Sequence, residues 1–303
     1  MRLLIAGHHG QVAQALLAAA GARGWEGIAL GRPELDLTLP GTLRAALRAG
    51  PFDLVINAAA YTAVDQAESD EKTAFAINAE GAGWLAEAAA EQGVPIIHFS
   101  TDYVFDGASG APYTEDDPVA PLGVYGRSKL AGEHAVAAAN AAHVILRTAW
   151  VYSAVGHNFL KTMLRLAATQ TTLRVVDDQI GSPTYAPHLA DAVLDVAAAL
   201  SAGRRDCYGT FHATASGHAS WWAFAREIFA RFSELGGNAP EVEAIASDAY
   251  PTPAPRPRNS RLNCDRLSRL LDVRLPPWQS GVEACLAHLE RSGELITSAG
   301  DRA

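Results

Sequence analysis

The chain opens with RLLIAGHHGQVAQALLAAA (residues 2–20), in which an apolar run, a turn with two glycines and an alanine-rich segment follow one another directly. The apolar run is typical of a short buried β-strand, and the segment from Gln11 onward is typical of an α-helix. Gly7 permits a tight turn, Gly10 lets another group approach the backbone, and Ala13 is small enough for close packing of helix on strand. The chain therefore begins with a strand-turn-helix unit.

The same alternation continues through the first half of the chain. Strands are predicted at Arg2–Ala6, Gly27–Leu30, Asp53–Asn57, Pro95–Ser100 and His143–Arg147, and helices at Gln11–Ala20, Thr42–Ala49, Asp70–Gln92 and Tyr125–Ala142. Strands that are apolar on both faces and alternate with helices indicate a parallel sheet covered on both sides, with right-handed crossovers. The predicted fold is α/β, a Rossmann-type doubly wound parallel sheet.

The pattern loosens after about Thr148, which indicates a smaller second lobe. Helices are predicted at Phe159–Ala168, Ala186–Leu200 and Trp221–Phe232, and strands at Leu173–Val176 and Gly209–His212. The segment YPTPAPRP, residues 250–257, has too many prolines for a helix and should be extended. We predict a first domain over residues 1–150 and a C-terminal α/β lobe over residues 151–303. The boundary is approximate because later segments can return to the first domain.

Composition argues against several classes of protein. The 303 residues have a formal net charge of −9, and 49% of them are hydrophobic. That apolar content argues against a disordered chain, and the acidic surplus argues against a nucleic-acid partner. The apolar run before Gly7 is too short to cross a membrane, and three cysteines without metal-binding spacing suit a reduced compartment. We expect a globular cytoplasmic protein with no metal site and no nucleic-acid or membrane partner.

The turn from Gly7 to Ala13 has the spacing GxxGxxA and could bind a dinucleotide. Free N–H groups at the start of a helix attract phosphate, and Gly10 would let the backbone contact a pyrophosphate. A plain strand-to-helix turn is the alternative explanation. The second strand has no carboxylate at its end, and Arg32 follows it. This favours the 2′-phosphate of NADPH, with NADH possible. A solvated surface arginine is the alternative there, and Asp36 could contact the adenine.

The sharpest catalytic candidate is the pair Tyr125 and Lys129, in the stretch YGRSK. Residues four apart on a helix lie on the same face. A neighbouring ammonium favours the phenolate, so Lys129 is predicted to lower the pKa of Tyr125 and make it a usable acid and base. The hydroxyl of Ser100 or Thr101, at the end of a predicted strand, could hydrogen-bond the same substrate carbonyl oxygen. The alternative is an exposed tyrosine–lysine pair without a function.

Motifs along the whole chain resemble a known family. They are GHHGQVA, NAAAYTAVDQAE (Asn57–Glu68), STDYVFDG (Ser100–Gly107), VYGRSKLAGE (Val124–Glu133), RTAWVY (Arg147–Tyr152), NFLKTML (Asn158–Leu164), DDQIGSPT (Asp177–Thr184) and YPTPAPRPRNSRL (Tyr250–Leu262). The sequence resembles the extended short-chain dehydrogenase/reductases and, within them, the dTDP-4-dehydrorhamnose reductases. The resemblance implies NADPH-dependent reduction of the C4 keto group of dTDP-4-dehydro-L-rhamnose to dTDP-L-rhamnose, in L-rhamnose biosynthesis.

The resemblance also implies a role for each site residue. Tyr125 would donate a proton to the C4 oxygen, Lys129 would bind the nicotinamide ribose, and Thr101 would place its hydroxyl beside Tyr125. Asp102 would contact the sugar, and Trp150 would pack on it. Besides Tyr125 and Lys129, the residues expected to hold the cofactor are Gly7, Gly10, Gln11, Val12, Arg32, Asp36, Leu37, Ala60, Tyr61, Thr62 and Phe99.

The expected binding partner is a nucleotide-diphosphate deoxysugar. Some family members form dimers through a metal held by acidic residues, but Pro187 stands where such a carboxylate would be expected. We therefore expect a monomer or homodimer without a bridging metal. A sugar-nucleotide epimerase or dehydratase of the same superfamily is the first alternative function, and a non-catalytic NADP-binding regulatory subunit is the second.

Three further features each have two explanations. Asn78, in the middle of a predicted helix, could order a water of a proton relay or make a buried hydrogen bond. Trp221 and Trp222 are favoured as core residues over a platform for a nucleobase. The arginines near the proline-rich segment could hold a diphosphate or could all be solvated. These arginines are Arg256, Arg258 and Arg261.

Overall fold

The computed structural model describes residues 1–295. In chain order the strands are β1 (Arg2–Ala6), β2 (Glu26–Leu30), β3 (Leu54–Asn57), β4 (Ile96–Thr101), β5 (His143–Thr148), β6 (Val151–Tyr152), β7 (Thr172–Val176), β8 (Ile180–Gly181), β9 (Thr184–Tyr185), β10 (Gly209–His212), β11 (Ala219–Ser220) and β12 (Glu241–Ile245). The α-helices are α1 (Gln11–Ala22), α2 (Pro40–Arg48), α3 (Val64–Ala67), α4 (Glu71–Phe75), α5 (Ala82–Glu91), α6 (Val124–Ala139), α7 (Phe159–Ala167), α8 (Ala186–Ser201), α9 (Trp221–Glu234), α10 (Asp265–Leu271) and α11 (Trp278–Arg291).

A six-stranded sheet in the order β10-β5-β4-β3-β1-β2 forms the centre of the molecule. Every neighbouring pair in it is parallel, which confirms the predicted doubly wound sheet. The strand order reverses between β1 and β3, because β2 lies on one side of β1 and β3 on the other. In open α/β sheets, ligands bind in the crevice at the carboxyl ends of the strands beside such a reversal.

Helices cover both faces of this sheet, which is why its inner strands are apolar throughout. On one face α1 and α8 pack together, and Leu16, Leu189 and Val193 are fully buried. On the other face α2 and α5 bury Leu43 and Leu85. Burial of such side chains stabilises each by about 1.5–3 kcal/mol relative to exposure, so the sheet is the rigid support of the site.

The second lobe consists of short strand pairs and three helices. The pairs are β6 with β9, β7 with β12 and β8 with β11, and α7, α9 and α11 pack around a core that contains Phe224 and Tyr152. The chain after residue 150 does not remain in this lobe, because α8 and β10 return to the large sheet. Among residues 1–295, no helix is both long enough and apolar enough to cross a bilayer.

The long helix predicted over 70–92 is continuous but changes its winding in the middle. Residues Ala76–Gly81 form a π-helical turn between α4 and α5. Such turns are rare and often occur at functional sites. This one places the side chain of the buried Asn78 against the loop that follows β3, beside the crevice.

Candidate active site

A cleft of about 880 Å³ lies at the carboxyl ends of the central strands and reaches the second lobe. Among the residues expected from the sequence to hold cofactor or substrate, Tyr61 alone is absent from its walls. The others line it: Gly7, Gly10, Gln11, Val12, Arg32, Asp36, Leu37, Ala60, Thr62, Phe99, Thr101, Asp102, Tyr125, Lys129 and Trp150.

The glycine turn after β1 has the conformation that phosphate binding requires. Gly7 has a φ of +108°, which other residues rarely adopt, and a Cβ there would lie 3.3 Å from the carbonyl carbon of Ala58. Gly10 caps α1 without a side chain, and no atom lies within 4 Å of where its Cβ would be. The N–H groups of the first helical turn therefore face open space at the positive end of the helix dipole, where a diphosphate fits.

Gln11, the first residue of α1, links this turn to the second lobe. Its Oε1 accepts hydrogen bonds from Asn158 Nδ2 (2.9 Å) and from Ser153 Oγ (3.1 Å). The loop between those two residues brings Gly156 and His157 to the cleft wall. No local pattern predicts this contact, because Gln11 and its partners are more than 140 positions apart.

The residues after β2 form the far end of the cleft. Arg32 is exposed, and His8 lies beside the strand end, with its Cβ 3.2 Å from a Cβ built on Gly31. The Asp36 carboxylate accepts hydrogen bonds from the N–H (2.9 Å) and the hydroxyl (2.8 Å) of Thr38, which fixes the turn before α2. Arg32 thus has freedom to meet a phosphate, whereas Asp36 has a local structural partner.

Asn78 holds the loop after β3 through its side-chain amide. Its Oδ1 accepts from the N–H of Tyr61 (2.8 Å), and its Nδ2 donates to the carbonyl of Tyr61 (3.0 Å) and to Ser128 Oγ (3.0 Å). The hydroxyl of Tyr61 contacts Asp70, 3.4 Å away. The amide of Asn78 therefore takes part through both its nitrogen and its oxygen in a buried structural network, as the second of its two explanations predicts, and it keeps Ala60 and Thr62 at the cleft.

Tyr125 and Lys129 lie one helical turn apart on α6, on the cleft wall formed with β4. Lys129 is 3% exposed and its Nζ donates to the carbonyl of Phe99, 2.6 Å away. Burial lowers the pKa of Lys129 to about 8, and Glu133 opposes that shift. The lysine is thus cationic at neutral pH but close to losing its proton.

The predicted lowering of the Tyr125 pKa is wrong for this structure. Burial raises the pKa of Tyr125 to about 12; a hydrogen bond with Thr101 opposes the rise, and the negative charge of Asp102 adds to it. Desolvation disfavours the phenolate, and Lys129 directs its ammonium to the Phe99 carbonyl. Tyr125 is therefore a protonated phenol at neutral pH, which is the form that can donate a proton.

The two hydroxyls at the end of β4 have separate partners. Ser100 Oγ donates to Glu133 Oε1 (2.5 Å), away from the reacting side, whereas Thr101 Oγ1 donates to Asp102 Oδ1 (2.9 Å). Thr101 also contacts Tyr125. Of the two alternatives left by the sequence, Thr101 is thus the hydroxyl beside the phenol.

Two buried polar atoms at the cleft lack a protein partner among the described residues. They are Asp102 Oδ2 and Thr148 Oγ1, although the hydroxyl of Ser260 lies close enough to the Asp102 carboxylate to lower its pKa. Burial raises the pKa of Asp102 to about 6, so its carboxylate is ionised at neutral pH. Buried polar groups normally find a partner, so this part of the cleft suits a ligand rich in hydroxyls. Thr148 was not among the site residues expected from the sequence, although its position directly after the predicted strand His143–Arg147 was an available signal.

An aromatic pair forms the wall on the side of the second lobe. The rings of Trp150 and Trp221 stack with centroids 3.5 Å apart and planes 6° apart, and Trp150 has a φ of +49°. A Cβ at Gly181 would meet the Trp150 ring, so this glycine makes room for it. Trp221 also lines the cleft, while the Trp222 indole donates to the carbonyl of Val242 (2.9 Å).

The arginines of the proline-rich segment do not line the cleft. Arg256 pairs with Asp65 (2.8 Å), and Arg261 donates to Asn259 Oδ1 (2.8 Å). Arg258 is exposed. Within residues 1–295, no three histidine, cysteine or carboxylate side chains form a group that could hold a metal ion.

Comparison with known proteins identifies the family. The family model described as RmlD substrate binding domain matches residues 1–291. The dTDP-4-dehydrorhamnose reductase of Sinorhizobium fredii is 51% identical over 280 residues, which are 92% of this chain and 94% of that protein. The crystal structure of the dTDP-4-dehydrorhamnose reductase from Clostridium acetobutylicum matches with a TM-score of 0.89 and 37% identity, over 96% of this chain and 100% of that one.

A second crystal structure adds the cofactor of a relative. The dTDP-4-dehydrorhamnose reductase from Bacillus anthracis, in complex with NADP, matches with a TM-score of 0.88 and 32% identity, over 95% of this chain and 99% of that one. The sequence matches and the structural matches therefore agree over nearly the full length. This chain belongs to the dTDP-4-dehydrorhamnose reductase family.

Proposed function

We propose that this chain reduces the C4 keto group of dTDP-4-dehydro-L-rhamnose to give dTDP-L-rhamnose, with NADPH, in nucleotide-sugar biosynthesis. The strongest support is that a phosphate-binding turn, a proton donor and a cation line the same cleft. An open helix N-terminus, a protonated Tyr125 and a cationic Lys129 all line it. The family membership given above supplies the substrate class.

The cofactor would extend from the turn after β2 to α6. Gly10, Gln11 and Val12 would hold the diphosphate with backbone N–H groups, and Arg32 would meet the 2′-phosphate. Lys129 would bind the nicotinamide ribose hydroxyls. NADPH, when bound, supplies the hydride that reduces C4 of the sugar. Ala60, Thr62 and Phe99 would line the cofactor in this part of the cleft.

The proton would come from Tyr125. Its raised pKa keeps the phenol protonated, so it suits the reducing direction, in which the C4 oxygen must gain a proton. Thr101, which contacts Tyr125, would turn its hydroxyl proton from Asp102 Oδ1 to that oxygen and hold it by a second hydrogen bond. Lys129, whose ammonium donates to the Phe99 carbonyl, would act on the nicotinamide ribose and not on the pKa of the phenol.

The sugar would lie between the end of β4 and the aromatic wall. The unpartnered oxygens of Asp102 and Thr148 would accept hydrogen bonds from, or donate to, its hydroxyl groups. Trp150 would pack against the apolar face of the ring. We propose a cytoplasmic location, with which three unpaired cysteines agree. A monomer or homodimer remains the prediction for the oligomeric state.

A coupled assay tests the proposal. The purified chain is given the dehydrated and epimerised product of dTDP-glucose, and the NADPH absorbance in the near ultraviolet is followed. We expect NADPH loss that depends on the sugar nucleotide, with a nearly cofactor-free spectrum of the purified protein. Tightly retained NAD and isomerisation without net NADPH loss would instead identify an epimerase or dehydratase. Binding of NADPH with no turnover of any 4-ketosugar nucleotide would favour a regulatory subunit.

A further inference from the structure

A second polar layer lies behind Tyr125 and Lys129 on helix α6. Glu133 follows Lys129 by four residues, as Lys129 follows Tyr125, so all three side chains lie on one face of the helix. Glu133 and Lys129 are each 3% exposed. The row therefore leads from the cleft wall into the interior, and a charged carboxylate occupies its buried end.

Glu133 joins α6 to two strands of the sheet. Arg147 donates from Nε to Oε1 (2.8 Å) and from Nη2 to Oε2 (2.7 Å), and Ser100 Oγ donates to Oε1 (2.5 Å). Ser100 and Arg147 are partners in register on β4 and β5. A bidentate arginine and a short hydroxyl contact fix the carboxylate in one orientation.

Ser100, which donates to Glu133, lies in the chain between two residues that contact Lys129 and Tyr125. Before Ser100 in the chain stands Phe99, whose carbonyl accepts from Lys129 (2.6 Å), and after it stands Thr101, which contacts Tyr125. A displacement of Ser100 would therefore move both the acceptor of the lysine and the hydroxyl beside the phenol.

The charges around Lys129 give Glu133 a second effect. His98, on β4, is buried, and burial together with the charge of Lys129 keeps its pKa well below the ordinary value, so it is neutral. Arg147, on β5, is a cation whose Nη1 is buried without a hydrogen-bond partner among the described residues. Glu133 is the charged neighbour that raises the pKa of Lys129 against the effect of burial.

The remaining ionisable groups near the row face the cleft. Tyr125 is protonated at neutral pH, and Asp102 is ionised beside it. Without the Glu133 carboxylate, the interior would hold the cations of Lys129 and Arg147 without their shared counter-charge. A buried cation without a counter-ion loses its proton more easily.

We propose that Glu133 is a positioning residue of the reductase: its carboxylate keeps Lys129 cationic and holds Ser100, so that the Phe99 carbonyl and the Thr101 hydroxyl stay in place beside Tyr125. This inference rests on the proposed function for its catalytic consequence. The charge relation between Glu133 and Lys129 is measurable without substrate.

The chain is suited to a direct measurement because it contains three lysines, Lys72, Lys129 and Lys161. Lysine labelled with ¹³C at Cε gives one NMR signal for each, and K129M assigns the signal of interest. In E133Q we expect the titration midpoint of Lys129 to fall by about one pH unit or more. The signals of Lys72 and Lys161 should not move on substitution. An unchanged Lys129 midpoint in folded E133Q would overturn the proposal.

Two further variants keep the test decisive if E133Q does not fold. E133Q leaves Arg147 unpaired, so E133Q/R147M removes both charges, and circular dichroism checks that it is folded; its Lys129 midpoint should fall as well. R147M alone keeps the carboxylate and removes the competing cation, so its Lys129 midpoint should stay or rise. A fall in R147M would contradict the assignment of the effect to Glu133.

The conservative variant E133D separates the effect of the carboxylate charge from the effect of side-chain length. It keeps the carboxylate charge on a side chain too short to hold both strands, so the Lys129 midpoint should stay near that of the unmodified protein while kcat falls. A lowered midpoint in E133D would overturn the proposal. Because the NMR titration needs no substrate, a failure of the reductase assay with the unmodified chain counts against the proposed function and leaves this test intact.

Discussion

The two walls of the cleft use different parts of the chain. The wall at the start of α1 offers backbone N–H groups from an exposed turn whose cap has no side-chain hydrogen bond. The wall formed by β4 and α6 offers buried, ionisable side chains with fixed partners, Lys129 on the Phe99 carbonyl among them. The first wall can bind an anion whatever the pH, whereas the second changes its chemistry with each proton it gains or loses.

This difference shows why the two walls respond to different changes. Binding by a backbone turn depends on the φ angle of Gly7 and on free space at Gly10, so a single methyl group can disturb it. Proton transfer depends on burial and neighbouring charge, so changes that leave the shape intact can still abolish it. Substitutions at the two walls therefore separate these two dependences.

The largest effect is expected from Y125F. Loss of the phenol proton should lower kcat by about 10²-fold or more, because a general acid contributes that much, while NADPH affinity changes little. Turnover with the ketosugar nucleotide and NADPH fluorescence titration measure the two quantities. Tyr208, a partly buried tyrosine outside the cleft, gives the matched control Y208F, which should keep normal turnover. Near-normal turnover of Y125F would remove this residue from the mechanism.

The next effect is a loss of activity at alkaline pH. Because the pKa of Lys129 is about 8, its cation disappears as the pH rises through that value, and kcat/KM should then fall about tenfold per pH unit. This loss should not come from unfolding. The folded pKa lies below the unfolded value of roughly 10.4, so Lys129 makes the fold more stable, not less, as pH rises between them. A flat pH profile from neutral to pH 10 would contradict the role of the cation.

Two glycine substitutions compare the backbone conformation needed at Gly7 with the free space needed at Gly10. G7A should lower the free energy of unfolding by about 1–2 kcal/mol, because its φ is +108° and its Cβ would press on Ala58. G10A has free space and an ordinary φ of −69°, so its stability should change little while NADPH affinity falls about tenfold, or ~1.4 kcal/mol.

Gly21, also free of neighbours within 4 Å and near the end of α1, supplies the control. In urea unfolding, G21A should be as stable as the unmodified chain or more so, and its NADPH affinity should be normal. If G10A binds NADPH as tightly as G21A does, the diphosphate does not lie on this turn.

The smallest effect concerns the choice of cofactor. R32A should reduce the preference for NADPH over NADH about fivefold, because an exposed ion pair contributes at most ~1 kcal/mol. The ratio of kcat/KM for the two cofactors measures it, and R48A, at an exposed arginine of α2, is the control. An unchanged ratio in R32A would show that this arginine is merely solvated.

Much of the fold could be predicted because its signals are local. Apolar runs such as LVIN at β3 and the glycine turn after β1 depend on neighbouring residues alone, so most strands and helices of the first half were found within a few positions, whereas β12, α10 and α11 were not predicted. The return of β10 to the sheet was not assigned, because its pairing with β5 joins residues more than 60 positions apart. Short pairs such as β8 with β11 were missed, since two residues give no periodic pattern.

The candidate site shows the same limit. Tyr125 and Lys129 could be paired from their spacing on one helix, but the direction of the Tyr125 pKa could not be predicted, because burial is the largest influence on it and burial depends on the whole fold. Tyr61 was expected among the cofactor contacts, yet its side chain turns to Asp70, since Asn78 fixes its backbone.

The sequence by itself determined the order of strands and helices in the first half of the chain, the glycine turn and the residue types available for proton transfer, because each is encoded within a few consecutive positions. Only the tertiary structure decided which hydroxyl faces Tyr125, which carboxylate lies behind Lys129 and which of the ionisable groups are protonated. These properties depend on contacts among β4, β5 and α6 and on the exclusion of water. Neighbouring residues in the sequence determine neither distances in space nor desolvation.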